Sequence, residues 1–274
     1  METMPYALLD GVRIYYEVTG DGHPVVFLHG HALDHRAWRY QVEAISQTYT
    51  VVTFDMRGHG KSEAPATGYL TQHYSRDLYA LVRHLGMTKP SIVGHSMGGN
   101  IAIDYALTHP DAITTLTVVD SGLDGFERDE AFLAKMKKRR EVMRREGIGD
   151  KLIGASLRSD AFAGVRHKPE LMQLSREMLS GWTGASWKDA TVYPHPEKWA
   201  MERLQDINVP TLVVVGERDG GRFQRIANLL ASKICVVRKA TLANVGHMPQ
   251  LEDPEAFNDT LLDFLGGAIG KALI

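Results

Sequence analysis

The chain has 274 residues, 44% of them hydrophobic and 23% charged, with a formal net charge of −2. That length accommodates one large α/β domain carrying an insertion, and the charge balance lacks the basic excess of a nucleic-acid binder. Cys235 is the single cysteine, which excludes an intrachain disulfide and suits a reducing cytoplasm.

The first residues, Met1-Glu2-Thr3-Met4-Pro5-Tyr6, lack the basic-then-apolar pattern of a signal peptide. No run approaches the roughly 18 apolar residues of a membrane span, so a cytoplasmic protein is expected. In chain order, residues 12–18 alternate as a half-exposed strand after the turn Asp10-Gly11. Val25-Val26-Phe27-Leu28 is a short buried strand ending at His29-Gly30, and a helix is predicted over roughly 35–46. The next strand covers 51–55 and runs into the polar loop 56–62. Over 71–86, Tyr74, Leu78, Leu81, Val82 and Leu85 share one helical face. Ser91-Ile92-Val93 is again a buried strand, followed by a predicted helix over 99–106 and a further strand over 113–120. Strands alternating with helices imply a mostly parallel sheet covered on both faces.

The alternation breaks between Gly122 and Asp206, where the chain is helical and polar and holds three of the four tryptophans, Trp182, Trp187 and Trp199. It resumes at 211–216 and 234–237, and a last amphipathic helix is predicted over about 254–265. The expected organisation is an α/β core of residues 1–121 and 206–274 with a helical cap, 122–205, inserted after the sixth strand.

The segment joining strand 91–93 to its helix is Gly94-His95-Ser96-Met97-Gly98. A G-x-S-x-G pentapeptide between a buried strand and a helix is a nucleophile elbow. The tight turn strains Ser96, and the two glycines are expected where any Cβ would collide with neighbouring backbone. A serine hydroxyl needs a base to remove its proton, and in this topology an acid and then a histidine follow on loops after core strands. Asp219 ends the strand begun at Thr211, and His247 lies in Asn244-Val245-Gly246-His247-Met248-Pro249. The backbone N–H of Met97 and that of His31, in His29-Gly30-His31-Ala32, are the expected oxyanion donors. Asp120 is the rival acid, since it also ends a core strand.

Five segments in this order carry a resemblance to the α/β-hydrolase superfamily over essentially the whole chain: 27–30, 54–62, the elbow, 216–219 and 246–247. The sequence is similar to the branch of capped esterases, enol-lactonases, perhydrolase-type enzymes and meta-cleavage-product hydrolases. It departs from epoxide hydrolases and haloalkane dehalogenases, whose nucleophile is an aspartate. It also lacks the Gly-rich H-G-G-G loop of some lipases, and the proline that commonly follows the acid is missing after Asp219. The resemblance implies a serine hydrolase that needs no cofactor and cleaves a small, largely uncharged carboxylic ester or lactone. Carbon–carbon bond hydrolysis or perhydrolysis by the same residues remains open, as does a signalling protein that keeps the triad and binds a ligand.

The remaining candidates have plainer readings. His29 and His59 are expected to bond backbone, His95 to pack beside the elbow, and Asp55 and Arg57 to brace their loop. Cys235 reads as a small core residue. The basic run 135–140 reads as a solvated helix with Phe132, Met136 and Met143 as its buried stripe. Phe126, Phe162, Met172, Trp182 and Trp187 are available to line an apolar pocket. No histidine or cysteine cluster has metal-ligand spacing. The expected partner is a small-molecule ester or lactone, with neither nucleic acid nor membrane, for a monomer or homodimer.

Overall fold

The computed structural model describes residues 5–192 and 194–272. Eight strands form one sheet: β1 (Tyr6–Leu9), β2 (Val12–Thr19), β3 (Pro24–Leu28), β4 (Thr50–Phe54), β5 (Ser91–His95), β6 (Thr115–Val119), β7 (Thr211–Gly216) and β8 (Val237–Leu242). Their order is β1-β2-β4-β3-β5-β6-β7-β8. β1 and β2 run antiparallel to their neighbours, and all other pairings are parallel.

The central strands are Val, Ile, Leu and Phe runs because both their faces are covered. Alternate residues of one strand enter opposite layers. Val26 and Leu28 join a cluster with α2 (Thr71–His84), α3 (Met97–Thr108) and α8 (Gly221–Lys233). Val25 and Phe27 point the other way, against Trp38, against Ile45 of α1 (Arg39–Ile45) and against Phe257 and Leu261 of α10 (Pro254–Ala272). In α2 the expected stripe of Tyr74, Leu78, Leu81 and Val82 is buried. The helix expected over 35–46 begins instead as a 3-10 turn, His35–Trp38, before α1.

Between β6 and β7 the described residues contain no strand. Among the described residues four α-helices occupy this stretch, α4 (Glu130–Glu146), α5 (Asp150–Leu157), α6 (Pro169–Gly181) and the short α7 (Ala185–Lys188), with 3-10 turns at Asp160–Phe162 and Ala200–Asp206. The chain leaves and rejoins the core side by side, where the Met201 N–H donates to the Asp124 carbonyl at 3.1 Å. Met143, Leu152, Leu171, Met178, Trp182 and Trp187 build a third apolar cluster. It is seated on Ala32, Leu33, Ala37, Met248 and Leu251, the last lying in α9 (Pro249–Glu252). No helix among the described residues is long and apolar enough to cross a membrane.

β1 adds a strand that the sequence does not announce, since four residues are too few to show a period. One strand expectation is corrected. The strand expected over 234–237 lies instead at Val237–Leu242. β8 is an edge strand, and it carries exposed Arg238 and Lys239 as edges commonly do. The apolar run is the turn into it, so Cys235 is exposed rather than a core residue.

Candidate active site

Ser96 sits between β5 and α3 with φ 53° and ψ −109°, a conformation that L-residues avoid. Its N–H donates to the Val119 carbonyl at 2.9 Å, and its own carbonyl accepts from the Gly122 N–H at 2.9 Å. A Cβ on Gly94 would lie 2.3 Å from the Gly98 carbonyl oxygen, and one on Gly98 would lie 2.4 Å from that of Leu28. The backbone therefore closes around the serine only because both positions are glycine.

The Ser96 hydroxyl reaches His247 Nε2 at 3.1 Å, and the Nδ1 of the same ring lies 2.8 Å from Asp219 Oδ2. Asp219 follows β7, its N–H bonded to the Gly216 carbonyl at 3.1 Å. Burial opposes its ionisation, yet the hydrogen bond and charge of His247 hold its carboxyl below the ordinary value. Asp120 also comes close: one ligating atom each from Asp120, Asp219 and His247 lie within 4.8 Å of one another. Burial and the Asp219 charge push the Asp120 carboxyl well up, and it accepts the Gly216 N–H at 3.1 Å. The structure thus brings Ser96, His247 and Asp219 into one line and leaves Asp120 behind the acid.

His31 and Met97 both border the cavity beside Ser96. Among the described residues neither of their backbone N–H groups is engaged within the chain. The His31 ring stacks on Trp187 at 5.2 Å and meets Trp182 edge-on at 4.7 Å. Burial, then the charges of Arg139 and Arg140, depress its pKa to about 3, so the ring is neutral.

The other loop residues hold backbone. His29 Nδ1 donates to the Gly30 carbonyl while its Nε2 accepts from the Met56 N–H. His59 Nδ1 donates to the Arg57 carbonyl. His95, depressed to about 3 by burial and by His247, donates from Nε2 to the His247 carbonyl at 2.7 Å. Arg57 makes a bidentate pair with Asp77 at 2.6 and 2.5 Å, and Asp55 accepts from the His35 and Lys61 N–H groups.

Sequence reasoning missed two supports. Glu252 accepts the N–H groups on either side of His247, from Gly246 at 2.6 Å and Met248 at 3.0 Å. Phe223 of α8 packs its ring 4.3 Å from the imidazole. The only written signal for the first is an acid five residues after His247, within a turn opened by Pro249. The cavity bordered by Ser96, Phe223 and His247 has a volume of about 710 Å³, within the range of small-molecule sites.

The model of the alpha/beta hydrolase fold family matches residues 23–254. The chain belongs to that family. Est816, described as an N-acyl homoserine lactone degrading enzyme, is similar at 30% identity and TM-score 0.79, over 95% of this chain and 100% of that one. The enol-lactonase of Burkholderia xenovorans LB400 is similar at 25% identity and TM-score 0.83, over 95% and 99%. The soluble epoxide hydrolase of Corynebacterium sp. strain C12 is 36% identical over 114 residues, covering 42% of this chain and 40% of that protein.

Proposed function

We propose that this hydrolase cleaves a small carboxylic ester or lactone through an acyl-enzyme. The observation that carries the reading is the unbroken relay Asp219–His247–Ser96, with spacings of 2.8 and 3.1 Å. His247 Nε2 takes the Ser96 proton as the oxygen attacks the carbonyl carbon, and Asp219 fixes the ring tautomer and stabilises the imidazolium. The His31 and Met97 N–H groups bind the oxyanion. His247 then protonates the departing alkoxide. Next it deprotonates a water that attacks the acyl-enzyme, and the acid leaves with Ser96 restored. No step requires a metal or cofactor.

The helices between β6 and β7 act as a cap that encloses the acyl or alcohol part, with Phe162 and Trp187 on its inner wall. The two lactone-cleaving neighbours, each aligned over 95% of this chain, favour this class over carbon–carbon cleavage. The test is a fluorophosphonate probe, which should label the protein stoichiometrically and leave Ser96→Ala unlabelled. A panel of esters and lactones run beside it should show turnover with wild type only. Equal labelling of both proteins would sink the assignment.

A further inference from the structure

We propose that the cavity is built to take an ester or lactone bearing a carboxylate, held by Arg139 on the wall that α4 contributes. This inference rests on the hydrolase reading above and deepens it. Six cations border the cavity, Arg128, Lys137, Arg139, Arg140, Arg144 and Arg222, against two acids, Asp124 and Glu141. Asp124 is already engaged by the Thr71 hydroxyl at 2.6 Å. Among the described residues none of the six cations forms an ion pair, although Arg145, Lys151, Arg176 and Arg225 nearby all do.

Arg139 stands out within this group. Its Nη2 donates to Ser156 Oγ at 2.5 Å, whereas its Nε is buried with no partner. Its guanidinium carbon lies 5.8 Å from the centroid of Trp187, the same ring on which His31 stacks. One aromatic surface therefore runs from the loop beside Ser96 to the guanidinium. Ser186 Oγ and His31 Nε2, both on residues bordering the cavity, are likewise buried without partners. Burial disfavours the charge on Arg139 and no acid offsets it, and the same holds for Arg140, which is also crowded by Arg128 and Arg144. Leaving charges unneutralised at a partly buried wall is costly, and an incoming anion removes that cost. A guanidinium presents a planar fork that matches a carboxylate. The largely uncharged substrate that the resemblance implies gives way in this proposal, because the basic run of α4 forms a wall of the cavity rather than only a solvated face.

The experiment measures binding and turnover separately. Ser96→Ala should bind monomethyl glutarate about 10- to 100-fold more tightly than neutral dimethyl glutarate by calorimetry, the range set by one or two charge-assisted hydrogen bonds. Adding Arg139→Gln should remove that preference. Arg139→Lys, which keeps the charge without the fork, should retain part of it, and it serves as the second variant if the Gln protein does not fold. Lys138→Gln, on the same helix but off the cavity wall, should leave the preference in place. Monomethyl esters of succinate, glutarate and adipate should likewise show higher kcat/KM than their dimethyl counterparts in wild type. Equal affinity for the two glutarates, or a preference that survives in both Arg139 variants, overturns the proposal, and binding of inorganic phosphate but not monomethyl glutarate overturns the carboxylate assignment. If neutral esters turn over faster than half-esters, the hydrolase reading stands and this inference falls. If the half-ester binds through Arg139 but no ester is hydrolysed, the recognition stands and the hydrolase reading falls.

Discussion

Asp120 and Asp219 end neighbouring strands of the sheet, and their surroundings divide their behaviour. Asp219 accepts from the imidazole and from the Gly220 N–H, so its charge is matched. Asp120 is 1% exposed beside that charge, and burial and the Asp219 charge push its carboxyl well above the ordinary value. Asp219→Asn should therefore cut turnover by about 10⁴-fold, as loss of the orienting acid does in protease triads, with the fold intact. Asp120→Asn replaces a carboxyl whose ionised form is disfavoured by a neutral amide of the same shape, and turnover should change little. Reversed kinetics for the two variants would move the acid to the end of β6. The raised pKa of Asp120 also has a sign in stability. Above its ordinary value of 3.8 the unfolded chain releases this proton while the folded chain keeps it, so the term weakens the fold as pH rises toward the raised pKa. Asp120→Asn lacks the term, and its melting temperature relative to wild type should climb as pH rises above the ordinary value of 3.8. A flat difference would show that Asp120 is ionised in the folded protein. Ser96→Ala and His247→Ala should each lose several orders of magnitude, and the double variant little more, because the relay acts as a unit.

At the scale of elements, the two inner tryptophans have separable roles. Trp187 borders the cavity, whereas Trp182 lies outside its lining and packs against His31 and Trp187 at 4.7 Å each. Trp187→Ala should shift the optimum of an acyl-length series toward larger groups, each added methylene gaining about 0.8 kcal/mol until the space is full. Trp182→Ala should leave that optimum in place and destabilise by about 3–5 kcal/mol. A shifted optimum in the second variant alone would exchange the roles. The loop after β4 is tied to α2 by the buried Arg57–Asp77 pair. Asp77→Ala strands the guanidinium at a cost of about 3–5 kcal/mol, while Arg57→Met with Asp77→Leu should be milder; equal losses, read from denaturant midpoints, would remove the charge argument. The buried strands were legible because each is an apolar run closed by turn residues, and Ser96, Asp219 and His247 were legible because each follows such a run. β8 was displaced by five or fewer residues of sequence because an edge strand mixes Arg238 and Lys239 into its pattern, while the apolar run before it is only a turn. Glu252, Phe223 and Arg139 could not be read in advance. Their roles depend on packing between segments remote in sequence, which no local period encodes.

Across the whole molecule the sheet and the layer above it are anchored unequally. α4 spans 17 residues and buries only Met143, whereas α6 spans 13 and buries Leu171, Leu174, Ser175, Met178 and Leu179. Amide exchange should therefore be fastest in α4, slower in α6 and slowest in β5 and β6, since opening costs follow buried contacts. Protection of α4 equal to that of β5 would mean that the helical layer and the sheet open together. The relay also spans the fold lengthwise: Ser96 and His247 stand 151 positions apart, and β6 gains its second partner only when β7 arrives. A nascent chain on the ribosome thus carries its strained serine long before it carries the proposed base, His247. On the proposed mechanism that hydroxyl would stay latent until the segment through His247 is synthesised and paired. During refolding, reactivity toward the fluorophosphonate should accordingly lag behind helical signal and appear with the final strand pairing.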